Sequence, residues 1–200
     1  MKTIAYDSMT CTSMVPLSAV VRIVPFQPAY NEECSALMMH CIREIKQRAF
    51  NPEHDDDMLD LEGYYTPNDS VLLVALASIT EHQREKVVGT LGIKCEGVVD
   101  GKKCAMIRRL YIEPEYRVQA LLPLFHAMRT HVVTQQFEKL RFTARQKIQS
   151  TFDAYKKIAA HVGMKEQAFA NGDVLYTWDL PKKNGQLTGK LCRTNSSQQE

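Results

Sequence analysis

Apolar and polar residues follow two rhythms along this chain, and the change from one to the other between Met106 and Thr130 organises the rest. Ile107, Leu110, Tyr111 and Ile112 form a β-prone run, which Glu113-Pro114-Glu115 ends because proline cannot donate to a sheet ladder. Beyond Arg117, Leu121, Leu124, Phe125, Met128 and Val132 recur at intervals of three and four, the spacing of a helix with one buried face. This places Pro123 in the first helical turn, where a missing N–H costs nothing. The helix N-terminus then points at the end of the strand, where unpaired N–H groups and the helix dipole favour an anion.

The same reading orders the remaining chain. Val20–Val24 is a strand ended by Pro25 and Pro28, and Asn31 caps a helix to about Phe50 whose stripe is Leu37, Met38, Cys41, Ile42 and Ile45. Met58–Tyr65 reads as a short second helix. Val71–Ala77 and Val87–Ile93 are strands joined through a charged turn, and Asp100-Gly101 marks a hairpin into the strand described above. Lys139–Ala144 alternates as a fifth strand. Ser150 or Thr151 caps a helix through His161 with Gly163 at its C-cap, and Val174–Leu180 is the closing strand. Residues 1–18 have no clear period and read as an extension, residues 19–181 form one α/β domain, and the polar residues 182–200 read as a disordered tail.

Two hundred residues suffice for one core without disulfides or metal. A net charge of +2 gives no reason to expect nucleic acid as a partner. The six cysteines show no metal-type spacing and read as reduced thiols. No apolar run has the length of a signal peptide core or a membrane span, so a cytoplasmic protein with no membrane partner is expected.

The block Arg108-Arg109-Leu110-Tyr111-Ile112-Glu113-Pro114-Glu115-Tyr116-Arg117 resembles the fourth strand and following turn of the GCN5-related N-acetyltransferase (GNAT) superfamily, and Val162-Gly163-Met164 adds to the likeness, which spans roughly residues 20–180. The resemblance implies an acyl-CoA N-acyltransferase fold, a mixed central sheet of about six or seven strands flanked by about four helices, with the fourth and fifth strands parallel and splayed around the co-substrate. It implies acetyl-CoA or another acyl-CoA, held by the backbone of Leu110, Tyr111 and Ile112 and by a loop of Arg117, Val118, Gln119, Ala120, Leu121 and Leu122. The chain departs from the family at several positions. Val118, Ala120 and Leu122 stand where glycines are expected and should narrow the space for phosphate. Ala159 stands where a tyrosine commonly protonates the leaving thiolate, and Met106 where a glutamate is frequent. Tyr155, one turn earlier, is a replacement candidate for the acid, and Glu96, Glu62 or Cys104 for the base, against the plainer reading of a structural tyrosine, surface carboxylates and a core thiol. The acidic run Glu53–Asp57 either attracts a cationic amine or is simply solvated. Met38, Met39, Met106 and Met128 read as core filler.

Three functions follow from the likeness: acyl transfer from a CoA thioester to a small-molecule or peptide primary amine, acyl transfer from an acyl carrier protein, or a binding or regulatory module that has lost catalysis. For the second, Arg108, Arg109, Arg117, Lys102 and Lys103 would form a basic patch for an acidic carrier.

Overall fold

The computed structural model describes residues 20–45, 48–78, 85–144, 156, 159–160 and 163–180. Its strands are β1 (Val20–Pro25), β2 (Val71–Ser78), β3 (Lys86–Val99), β4 (Lys102–Ile112), β5 (Lys139–Ala144), β6 (Lys165–Ala168) and β7 (Val174–Asp179), with helices α1 (Asn31–His40), α2 (Leu61–Tyr65) and α3 (Arg117–Thr134). The seven strands form one mixed sheet, as the resemblance implied, and stand in the order β1-β2-β3-β4-β5-β7-β6. Every neighbouring pair is antiparallel except β4 with β5.

β2 shows why its run is apolar throughout. Leu72, Val74 and Leu76 pack with Cys34, Leu37, Met38, Leu61 and Tyr65 under α1 and α2. Leu73, Ala75 and Ala77 belong to the opposite core, with Ala120, Leu124, Met128 and Val132 of α3. A strand covered on both faces has no polar side to alternate with. The β3–β4 turn has Asp100 at φ 53° and Gly101 at φ 73°, the two positive angles of a tight hairpin.

Several expectations need correction. α1 ends at His40, a π turn continues it through Cys41–Ile45, and Arg48–Phe50 is not helical. The Arg48 guanidinium is drawn instead onto Asp55, at 2.6 and 2.7 Å. Asn31 is the first helical residue rather than a cap, preceded by a 3-10 turn at Pro28–Tyr30. Another 3-10 turn, at Pro114–Tyr116, runs straight into α3, so Pro114 occupies the proline position of a helical start and Pro123 lies inside the helix. With that start the buried stripe is Ala120, Leu124, Met128 and Val132, while Leu121 is 39% exposed. β6 was not anticipated, because all four of its residues are exposed at a sheet edge and carry no apolar pattern.

Gly163, at φ 71°, closes the helical turn at Ala159–Ala160, with the Met164 amide donating to the Ala159 carbonyl at 2.9 Å, the C-cap expected there. The N-terminal extension, the tail and the start of the helix proposed from Ser150 lie outside the described residues. Among the described residues no helix is long and apolar enough to cross a membrane.

Candidate active site

β4 and β5 share four ladder pairs, from Cys104↔Lys139 to Ile107↔Phe142. From Arg108 onward β4 has no partner on that side among the described residues, although its other edge stays on β3 as far as Ile112. The two strands part into a cleft with one edge of β4 open along it. An open edge offers N–H and C=O groups to an extended, amide-bearing ligand.

The parting coincides with a bulge. The β3–β4 register passes from Gly92↔Arg108 to Thr90↔Tyr111, so Arg109 and Leu110 together oppose Leu91. Arg109 has φ 53°, a left-handed angle unfavourable for a side-chain-bearing residue by roughly 1–2 kcal/mol. Thr90 Oγ1 donates to the Arg109 carbonyl at 2.9 Å and holds the bulge.

Buried charge fixes the side chain of Arg109 as well. Its Nε donates to Asp57 Oδ2 at 2.8 Å and its Nη1 to Asp55 Oδ1 at 3.0 Å, with a further bond from Nη2 to Asp57 Oδ1. Tyr65 donates its hydroxyl to Asp57 at 2.6 Å. Asp55 and Asp57 are both 0% exposed, so the acidic run is not a solvated attractor for amines: two of its carboxylates neutralise Arg109 and Arg48 in the interior. Burial alone would raise the Asp55 carboxyl, but bonds from Arg48, the Asn51 amide and Arg109 outweigh it and hold the group well below the usual carboxylate range. Asp57 is lowered in the same way, burial being overcome by Arg109 and Tyr65. Arg108 reaches the same segment, bonding the Tyr64 hydroxyl and lying 3.3 Å from the His54 carbonyl. The bulge thus directs two successive arginines to residues 54–57 and ties that segment to the rim of the cleft.

At the far end of β4 the mouth of α3 is open. Tyr116 supplies no side-chain cap and the first turn holds no acidic residue. The Tyr116 and Arg117 amides are taken by the carbonyls of Glu113 and Pro114, leaving those of Val118 and Gln119 next at the positive end of the helix. The expected loop at 118–122 is therefore helix. Its side chains do not crowd the mouth as expected: Val118 and Leu122 are 88% and 69% exposed, and Ala120 faces the core.

The other sequence candidates fall as follows. Leu110 and Ile112 pack on the α3 side and Tyr111 on the α1 side, so these three residues have only backbone to offer the cleft. Glu96 lies on β3 beside the closed end of the β4–β5 pair, in an ion pair with Arg141 at 2.9 Å, and is not brought to the opening. Burial, then Glu96, pushes the Cys104 thiol up to about 11, which keeps it protonated at neutral pH and unsuited to act as a base. Tyr155 lies outside the described residues. Ala159 is buried. Lys102 and Lys103 are paired with Asp179 and Asp69, and ten residues of strand, roughly 30 Å, separate them from the rim at Ile112, so the basic patch does not assemble. A cavity of about 250 Å³ lies beside the exit of β4, but its Glu113 is paired with Lys86 and its Glu33 accepts from the Val87 amide. Among the described residues no group of three or more His, Cys, Asp or Glu side chains is placed to hold a metal.

No protein-family sequence profile and no curated protein sequence matches this chain. Solved structures do. A GNAT-family acetyltransferase from Staphylococcus aureus superposes with a TM-score of 0.63 at 15% identity, covering 81% of this chain and 100% of its own. The PaiA N-acetyltransferase of Thermoplasma acidophilum, solved in complex with coenzyme A, gives 0.57 at 14% identity over 80% and 98% of the two chains. FeeM, an N-acyl amino acid synthase from uncultured soil microbes, gives 0.57 at 11% identity over 82% and 92%. The fold is that of the GNAT acetyltransferases.

Proposed function

We propose that this protein is an N-acyltransferase that moves an acetyl or longer acyl group from a CoA thioester to a primary amine in the cleft between β4 and β5. The observation that carries this reading is the open edge of β4 beyond Ile107, leading directly to the uncapped start of α3. In this reading the backbone between Arg108 and Ile112 pairs with the amides of the pantetheine arm. The Val118 and Gln119 amides and the exposed Arg117 take the pyrophosphate. The acceptor amine approaches past residues 54–65, the segment that Arg109 ties to the bulge. Attack of the amine on the thioester carbon forms the C–N bond and expels the thiolate.

A second donor is favoured by one feature. Val118 and Leu122 are exposed apolar side chains beside Arg117 at the cleft mouth, a surface suited to an acidic acyl carrier protein.

The test is a thermal melt with coenzyme A, acetyl-CoA and a longer acyl-CoA. Ligand at a hundred times its Kd adds about 2.7 kcal/mol, or roughly 5–10 °C for a chain of this size. A shift followed by turnover on an amine panel supports the CoA reading. No shift with any of the three removes it and leaves the carrier-protein donor or a fold kept for binding alone.

A further inference from the structure

Lys94, on β3, and Arg108, on β4, lean on one aromatic ring. Lys94 Nζ stands 4.2 Å from the centroid of the Tyr64 ring and the Arg108 guanidinium carbon 5.3 Å from it. Lys94 also donates to the Tyr64 carbonyl at 2.6 Å, and Arg108 donates to the Tyr64 hydroxyl. Two cations drawn onto one residue repel each other, and an anion within reach of both relieves the repulsion. The protein itself supplies little of that relief. Among the described residues Lys94 has no carboxylate partner. Arg108 Nη2 is 3.7 Å from Asp56 and 3.9 Å from Asp57, both beyond hydrogen-bond length, and Asp57 is committed to Arg109.

The ladders place both cations at the cleft. Gly92 pairs with Arg108 and Lys94 with Met106, and Met106 pairs in turn with Arg141 of β5. Partners in a ladder share a face of the sheet. Tyr65 stands against Gly92, so Lys94, Met106, Arg108 and Arg141 all look to the side that carries α2. Arg108 is the first β4 residue beyond the last β4–β5 pair, Ile107↔Phe142, and stands at the apex of the cleft. On this side α1 and α2 pack over β2, Val87 and Tyr111, while Lys94, Met106, Arg108 and Arg141 all keep partial access to solvent. Glu96 engages Arg141 at 2.9 Å, which leaves Lys94 and Arg108 as the cations without a carboxylate hydrogen bond.

We propose that this surface receives the acceptor and selects a primary amine that also carries an anionic group, a carboxylate or a phosphate, an assignment that rests on the acyl transfer proposed above. The anionic group lies between Lys94 and Arg108, and the amine reaches past Met106 to the thioester at the apex. A diamine or a lysine-rich peptide brings a second cation to the same surface and is repelled. The acidic run Glu53–Asp57 does not reverse this, because Asp55 and Asp57 are spent on Arg48 and Arg109.

The experiment uses full-length protein, the acyl-CoA that gives the largest thermal shift, and matched acceptors: amino acids against the amines left by removing their carboxylates, 2-aminoethyl phosphate against ethylamine, and 1,4-diaminobutane as the dication. Within the pairs the anionic member has a kcat/KM at least about tenfold higher, the size of one hydrogen bond to a charged group. The pair with the larger ratio tells carboxylate from phosphate. Lys94→Gln lowers that ratio about tenfold through the acceptor KM and leaves the thioester KM unchanged, whereas Lys94→Glu moves the preference to 1,4-diaminobutane. Loss of folding would depress both members of a pair alike, so the ratio reads the charge. Equal turnover within the pairs, a parent that prefers the diamine, or a ratio unchanged in Lys94→Gln overturns the assignment and leaves the acyltransferase reading standing. Absence of turnover with every amine overturns both.

Discussion

Arg109 and Asp57 lie 52 residues apart in the chain and form a buried ion pair, with Nε donating to Oδ2 at 2.8 Å and both side chains nearly closed to solvent. The pair joins the bulge of β4 to the segment that carries Asp55 and Asp57. Its two members have different dependence on each other. Arg109 keeps one bond to Asp55 if Asp57 is lost, but the guanidinium remains in the interior at an unfavourable backbone angle.

Asp57→Ala is therefore expected to cost about 3–5 kcal/mol, the range for removing one partner of a buried pair. The loss in the double variant Asp57→Ala/Arg109→Ala should be smaller than the sum of the two single losses, because each single change strands a charge that the double change removes. Urea midpoints of the four proteins measure this. Additive losses would mean that the two side chains contribute independently.

The same carboxylates set an acid limit on stability. Asp55 and Asp57 have folded-state values depressed below the unfolded value, so their contribution is complete above about pH 4 and is lost as pH falls from there towards the folded values. Asp179, brought to about 2 by Lys102 and then Lys165, acts in the same direction, though its partial exposure and solvent screening make its share small. The urea midpoint should hold between pH 7 and 5 with respect to these groups and fall by pH 3. In Asp57→Asn, which cannot titrate at that position, the drop between pH 5 and 3 should be shallower than in the parent.

Gly92 is the position on β3 where the backbone must pass close to the network. A Cβ there would stand 2.6 Å from Tyr65 Cε1 and 2.7 Å from its hydroxyl oxygen. Tyr65 is 2% exposed and its hydroxyl is committed to Asp57, so it has little room to retreat. Gly92→Ala should destabilise by about 1–3 kcal/mol, as overpacking does, and loosen the 54–65 segment so that the amine KM rises more than the thioester KM. Equal changes in both would place the segment away from the acceptor.

Most of the sheet is legible in the sequence because each central strand is an apolar run bounded by turn residues, as Val71–Ala77 and Asp100-Gly101 illustrate. The Lys-Glu-Gln-Ala strand β6 escapes such a reading since an exposed edge needs no apolar side. The acidic run misleads for a related reason: local composition says that Asp55 and Asp57 are solvated, and the Arg109 guanidinium, more than fifty residues away, acts together with Arg48 to make their burial possible. An arginine at positive φ leaves no local signature either, so the bulge at Arg109 is invisible until the ladder is seen. Pro123 misplaces the helix start because Pro114, the one at the start, sits in a turn that also reads as the end of a strand.

Val118 separates the stability of α3 from the binding of an anion at its mouth. The residue is 88% exposed in the uncapped first turn, so a substitution there disturbs no packing. A carboxylate in the first turn favours the helix through its dipole by about 0.3–1 kcal/mol. The same negative charge repels a pyrophosphate seated on the Val118 and Gln119 amides. Val118→Asp should therefore melt slightly higher than the parent without ligand, yet bind coenzyme A at least about tenfold more weakly at low salt, with the difference narrowing as salt screens the repulsion. Val118→Asn, of similar shape without the charge, should keep nearly the parent affinity. Titrations of the three proteins at two ionic strengths decide the matter. If Val118→Asp binds coenzyme A as tightly as the parent, the phosphates do not lie at the start of α3.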